Sequence, residues 1–179
     1  MANQIPYVDP SAPRSVAGRL LGRVAGSELI TDLSTTHAWR NFVLKLDALL
    51  MRATNGRFSL VTLMIPSGLL ETTGARSGLS RQAPVIYFHD GERITLVASN
   101  AGLPMAPAWY HNLRASPRVS FNGQPFQAAV IEDPAEQDRL WQLADHVFPA
   151  YASYRARAAR ANRVIAIVQL LPVITFSPE

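Results

Sequence analysis

The chain has 179 residues, 48% of them hydrophobic and 17% charged, which supplies one buried core, with or without an arm, and is too apolar for a disordered polymer. It has no cysteine, which excludes disulfides, iron–sulfur clusters and thiolate zinc sites, and no apolar run reaches the roughly 18–20 residues of a membrane-spanning helix. Net charge is +4 and Lys45 is the only lysine among 17 basic residues; codon bias accounts for so much arginine, as does selection for forked binding of phosphate or carboxylate, and the absence of a dense basic run argues against nucleic acid as a partner. The start Met1-Ala2-Asn3-Gln4 lacks a basic stretch followed by an apolar one, so a cytoplasmic protein is expected.

Residues 1–13 hold Pro6, Pro10 and Pro13 without periodicity and read as an extended arm. Val16, Leu20 and Val24 then recur at helical spacing beside Arg14, Arg19 and Arg23. After the capping candidates Ser34, Thr35 and Thr36, the residues Trp39, Phe42, Val43, Leu46, Leu49 and Leu50 mark an amphipathic helix that Asn55-Gly56 ends. Strands are predicted at Phe58–Ile65, Leu69–Thr73, Ala83–His89 and Arg93–Ser99, with a hairpin turn at Asp90-Gly91. Pro107 opens a short helix over Ala108–Ala115. Arg118–Phe121 and Phe126–Ile131 form a second hairpin around Asn122-Gly123. Asp133, with Pro134 next to it and Glu136 three residues on, begins a helix to about Val147. Another helix follows from Pro149 to about Ala161, and Val164–Leu171 is a last strand. The pattern predicts an α+β domain whose mostly antiparallel sheet curls into a small barrel with flanking helices. The natural division is an arm at 1–33 and a domain at 34–179.

His37, His89, His111 and His146 lack metal-ligand spacing, and no H-E-x-x-H, G-x-S-x-G, P-loop or dinucleotide glycine fingerprint is present. No metal is expected. Two segments carry candidate chemistry. In Gly74–Arg81, two glycines and the cations Arg76 and Arg81 suit a phosphate or carboxylate, although the same composition describes a solvated turn. In Ser99–Asn112, a strand end, a turn and a helix start offer free amides to an anion; Trp109 and Tyr110 read equally as core packing.

Together, Leu-Glu-Thr-Thr-Gly-Ala-Arg-Ser-Gly-x-x-Arg-x-x-Pro-Val at 70–85 and Ala-Ser-Asn-Ala-Gly-x-Pro-x-x-Pro-Ala-Trp-Tyr-His-Asn-Leu at 98–113 resemble the deazaflavin-dependent nitroreductase family, the coenzyme F420H2-dependent quinone reductases of actinobacteria. The likeness covers about 36–171. It implies a split β-barrel enzyme that passes a hydride from reduced deazaflavin to a quinone, nitro compound or other electron-poor acceptor. The implied cofactor contacts are Arg76, Ser77, Arg81, Pro84, Val85, Ala98, Ser99, Asn100, Ala101, Pro107, Ala108 and Trp109. The loop Arg76–Arg81 would face the anionic phosphate and oligoglutamate tail, and Ser99–Trp109 the phosphate and ring, with Ser99 near the deazaflavin. The chain departs from the pattern in having Arg76 and Asn100 in place of lysines, Ala108 in place of methionine and Ile86 in place of a tyrosine. Tyr151 and Tyr154, three apart on a helix and beside Phe148, resemble the tyrosine cluster over the family's substrate pocket, where Tyr151 or Tyr154 would orient or protonate the acceptor. Phe148 replaces one hydroxyl of that cluster, which favours quinones over bicyclic nitro compounds.

A related barrel binding FMN or haem, and a non-catalytic carrier of F420 or a fatty acid, are the alternative readings. The Arg14/Arg19/Arg23 segment and the Trp39–Leu50 helix could also rest peripherally on the inner face of an anionic membrane, where quinones dissolve; packing of that helix on the barrel is the competing reading. The sequence leaves the oligomeric state open.

Overall fold

The computed structural model describes residues 5–12 and 66–173. The predicted helical segments at 15–33 and 39–50 and the predicted strand at 58–65 lie outside the described residues. Six strands, β1 (Ser67–Thr73), β2 (Ser80–Asp90), β3 (Arg93–Val97), β4 (Arg118–Phe121), β5 (Gln124–Val130) and β6 (Ile167–Pro172), close into a barrel in the order β1-β2-β3-β6-β5-β4. Every pairing is antiparallel, and Leu70 opposite Phe121 joins β4 back to β1. Three helices accompany the described strands: α1 (Ala108–Ala115), α2 (Pro134–Val147) and α3 (Ala150–Arg160). The predicted antiparallel α+β barrel is therefore the fold.

The pleat sorts the side chains into two cores. Leu70, Val85, Tyr87, Ile94, Leu96, Phe121, Phe126, Val168 and Leu170 fill the barrel together with Trp109 and Leu113 of α1. Alternating residues of the β2–β3–β6 wall, Phe88, Val97 and Ile167, face outward against Leu140 and Ala144 of α2 and Tyr151 and Ala158 of α3. Burial on both faces explains why Ile94–Val97 reads as nearly continuous apolar sequence.

Local chemistry sets the ends of the elements. Asn122 and Gly123 both take positive φ, 48° and 83°, as a two-residue hairpin turn requires. Asp133 accepts a hydrogen bond from the Glu136 amide at 2.9 Å, as a helix cap does. The Glu136 carboxylate binds Arg139 instead of closing a reciprocal capping box, and Arg139 also forks onto Asp90 at 3.0 and 2.6 Å. That fork ties α2 to the β2–β3 hairpin. β2 starts three residues before its predicted first residue, because Ser80 and Gln82 both donate to the Glu71 carboxylate across the β1–β2 pair, at 2.7 and 3.1 Å. β3 stops at Val97, where the Ser99 amide turns back onto the Val97 carbonyl at 2.8 Å.

The N-terminal arm is docked rather than free over residues 5–12. β1 pairs with β2 only as far as Ile86. Beyond that point Val8 takes the edge: His89 N–H donates to the Val8 carbonyl at 2.9 Å, and Val8 N–H donates to His89 Nδ1 at 3.0 Å. Tyr87 Oη donates to the Pro6 carbonyl at 2.9 Å, and Tyr7 stacks on the His89 ring at 4.6 Å. Covering an unpaired edge in this way protects it from other chains. Among the described residues, no helix is long and apolar enough to cross a membrane.

Candidate active site

The basic loop between β1 and β2 is closed by its own backbone. Gly74 N–H donates to the Leu79 carbonyl and Gly78 N–H to the Gly74 carbonyl, both at 2.8 Å. Arg76 and Ser77 are exposed on it, and Arg81 is exposed at the start of β2 beside it. Among the described residues no carboxylate pairs with Arg76 or Arg81. The Glu71 carboxylate is occupied by Ser80 and Gln82, whose hydrogen bonds hold its pKa below the usual range.

Asn112 fastens this loop to α1. Its side chain, 8% exposed, accepts from the Ala75 amide at 3.0 Å and donates to Thr72 Oγ1 at 3.0 Å. The sequence reading missed Asn112, although a signal was present: it shares the buried face of α1 with Trp109 and Leu113, at i+3 and i+4 from the tryptophan. A polar residue on an apolar face needs a partner, and here the partner is the basic loop.

The second segment leaves β3 through Ala98, which is buried in the barrel, and half-buried Ser99. Asn100, Ala101 and Gly102 follow with φ of 46°, 54° and 73°, three consecutive left-handed residues. Asn100 Nδ2 donates to the Met105 carbonyl at 2.8 Å, so this side chain braces its own loop. A Cβ on Gly102 would stand 2.6 Å from the Tyr154 carbonyl oxygen, so only glycine lets the loop lie against α3. Pro107 precedes α1, whose first turn has no side-chain cap and whose Ala108 is exposed. Trp109 turns into the barrel core with Val85 and Ala98. These three side chains shape the wall from within. Pro84 is half-buried on the outer face of β2. Ile86 packs on the helix cluster while Tyr87 points into the barrel, so the two face opposite sides.

Phe148, Tyr151 and Tyr154 form a triangle of edge-on rings with centroids 5.1, 5.9 and 6.3 Å apart. Tyr151 is 2% exposed, whereas Tyr154 is half-buried. Burial raises the pKa of both phenols above the ordinary tyrosine value, so both hydroxyls stay protonated at neutral pH. Gly102 packs the second segment against the α3 backbone at Tyr154, and Asn112 joins the first segment to the helix that the second one opens. A groove of about 820 Å³ borders the basic loop at Gly78 and Ser80 and runs along Glu71, Arg118, Gln127 and Pro172. Ser99, Trp109 and the tyrosines do not line it.

The donor set suits a polyanionic cofactor: among the described residues, exposed guanidiniums without carboxylate partners and a helix start without a side-chain cap, with two protonated phenols on the neighbouring helix α3. Comparison with known proteins agrees. The family model described as F420H(2)-dependent quinone reductase matches residues 43–172. An F420H(2)-dependent quinone reductase of Mycobacterium tuberculosis (strain ATCC 25618 / H37Rv) is 34% identical over 134 residues, covering 71% of this chain and 90% of that protein. Among solved structures, an F420-H2 dependent reductase superposes with TM-score 0.51 and 32% identity, over 59% of this chain and 93% of that one. Another, described as a domain-swapped dimer, gives TM-score 0.54 and 30% identity, over 69% and 90%. A match spanning most of the sequence, with a relative one-third identical across nearly its whole length, decides the point: the chain belongs to the F420H(2)-dependent quinone reductase family.

Proposed function

We propose that this protein reduces a quinone with F420H2, using the basic loop and the Ser99–Trp109 segment to hold the cofactor and Tyr154 to meet the acceptor. Bound F420H2 supplies a hydride, and the reduction of a quinone to a hydroquinone consumes one hydride and one proton. The observation that carries the reading is the pair of contacts at Asn112 and Gly102, which link the basic loop, α1, the left-handed loop and the tyrosine helix in one continuous assembly.

Arg76 and Arg81 offer forked donors to phosphate or carboxylate groups. In this reading Ser77, Ser99, Asn100, Ala101, Pro107 and Ala108 contact the cofactor between those cations and the barrel, and Pro84, Val85, Ala98 and Trp109 shape the barrel wall behind it. Tyr154, half-buried and protonated, is placed to donate a hydrogen bond to a quinone oxygen and to recover a proton from water. Tyr151 supports it from behind. With Phe148 in the triangle, one half-buried hydroxyl faces the acceptor, which supports a quinone over a nitro compound. Membrane contact through residues 14–50, which lie outside the described residues, is a separate proposal; vesicle co-sedimentation of the full chain and of a 1–33 deletion tests it, and equal behaviour of the two counts against it.

The test is titration of purified protein with F420, followed by fluorescence, and then turnover of menadione with F420H2. Saturation at or below about 10⁻⁵ M is expected. No saturable change would remove the reading. A flavin or haem absorbance band in the purified protein would point to the alternative cofactors, and binding without turnover to a carrier.

A further inference from the structure

We propose that Arg163 is the positioning residue of the cofactor-facing loop, clamping its carbonyls from behind and thereby aiming its amides. Because this is the loop assigned to F420 above, the role of Arg163 rests on that reading.

Arg163 follows the C-terminus of α3, and its backbone amide donates to the Ala158 carbonyl at 3.0 Å. Its Nη1 donates to the Ser99 carbonyl at 3.0 Å and to the Leu103 carbonyl at 2.6 Å, and its Nη2 donates to the Ala98 carbonyl. One guanidinium thus holds both ends of the turn that contains the three left-handed residues Asn100, Ala101 and Gly102. Arg157 Nη1 reaches the Ala101 carbonyl between them at 3.5 Å.

Two physical consequences follow. Asparagine tolerates the left-handed region but alanine is strained there, and Ala101 sits in it at φ 54° between Asn100 and Gly102, so the turn gains from an external hold. Peptide planarity does the rest: a Ser99 carbonyl fixed toward Arg163 fixes the Asn100 N–H on the opposite side of the same plane. The clamp therefore sets the direction in which the loop presents an amide to an anion, and it places a permanent positive charge behind that amide. Among the described residues, the buried Arg163 Nε has no hydrogen-bond partner. An arginine serving only as a surface charge would not strand a donor there; the side chain is committed to the geometry of its two terminal nitrogens.

The experiment compares the full-length wild type with Arg163→Met, Arg163→Lys and Gly102→Ala. Gly102→Ala displaces the same loop by a different route, through the contact with Tyr154. The readouts are F420 affinity by fluorescence titration, hydrogen–deuterium exchange of the 98–104 peptide, and the split between KM for F420H2 and kcat. For Arg163→Met the expected result is about tenfold or greater loss of F420 affinity. Faster exchange in 98–104, unchanged exchange in β1 and β2, and a larger change in KM than in kcat should accompany it. Arg163→Lys should recover only part of the affinity, since one ammonium cannot span three carbonyls. Gly102→Ala should reproduce the loss with Arg163 intact. Wild-type affinity and exchange in Arg163→Met would overturn the proposal, as would exchange that rises across the whole barrel. If the wild type itself binds no F420, the functional reading fails, and the exchange data alone then judge whether Arg163 holds the loop.

Discussion

Replacing Asn112 with alanine tests whether the basic loop and α1 act as one unit. The substitution removes two side-chain hydrogen bonds of 3.0 Å: the Ala75 amide loses its side-chain acceptor, and the buried Thr72 hydroxyl keeps only its 3.4 Å donation to the Arg81 carbonyl. A stranded polar group of this kind costs about 1–3 kcal/mol. Partial access of water to Ala75 argues for a total near 2 kcal/mol, and at about 2–4 °C per kcal/mol for a chain of this size the melting temperature should fall by about 4–8 °C. Untethered from α1, the loop also loses its fixed orientation toward the cofactor, so F420 affinity should drop in the same variant. Asn112→Asp separates the two effects. It keeps an oxygen for the Ala75 amide, and the Thr72 hydroxyl can turn to donate, so much of the stability should return; its negative charge beneath the loop should still weaken binding of a polyanion. Differential scanning fluorimetry and F420 titration of both variants are the assays. If Asn112→Ala melts within about 1 °C of wild type and binds F420 as wild type does, the coupling between loop and helix is refuted.

Exchanging both Arg76 and Arg81 for alanine should weaken F420 binding by at least about tenfold and flatten its dependence on salt, because screened charge attraction is what is lost; an unchanged salt slope would clear both residues of the role. Tyr154→Phe should lower quinone turnover by about tenfold with F420 affinity retained, and Tyr151→Phe should do less because that hydroxyl is enclosed; intact turnover in the double variant would end the proposed role of both. The docked arm should respond to pH through His89, whose Nδ1 must be unprotonated to accept from the Val8 amide and whose pKa burial lowers below the usual 6.5. The folded form therefore disfavours the proton: the docking energy is complete above the ordinary histidine range and is lost as pH falls through the depressed value. The His146 contact to the Pro10 carbonyl uses the ring as donor. The protection of residues 5–12 against hydrogen exchange, corrected for the intrinsic pH dependence of amide exchange, should fall between about pH 7 and pH 5, and protection independent of pH would contradict the assignment.

The elements legible in the sequence are those whose signals lie within a few residues of one another. Ala108–Ala115, Arg118–Phe121 and Pro134–Val147 appear where the spacing, the prolines, the Asp133 cap and the Asn122-Gly123 turn place them, because capping and turn energies are set by adjacent backbone. The two motif segments were also visible, as glycine, arginine and aromatic patterns in a characteristic order. What could not be read were contacts that exist only once the barrel has closed. Ser80 and Gln82 join β2 because Glu71 stands opposite them. Val8 meets His89 across 81 residues of chain, and the Arg163 guanidinium, one of many arginines with nothing local to single it out, reaches Ser99 across 64. A short-range pattern carries the preference of each segment, whereas a hydrogen bond between distant residues depends on how every intervening segment packs; so composition and motif order determined the kind of molecule, and the closed sheet decided which side chains hold its candidate site in place.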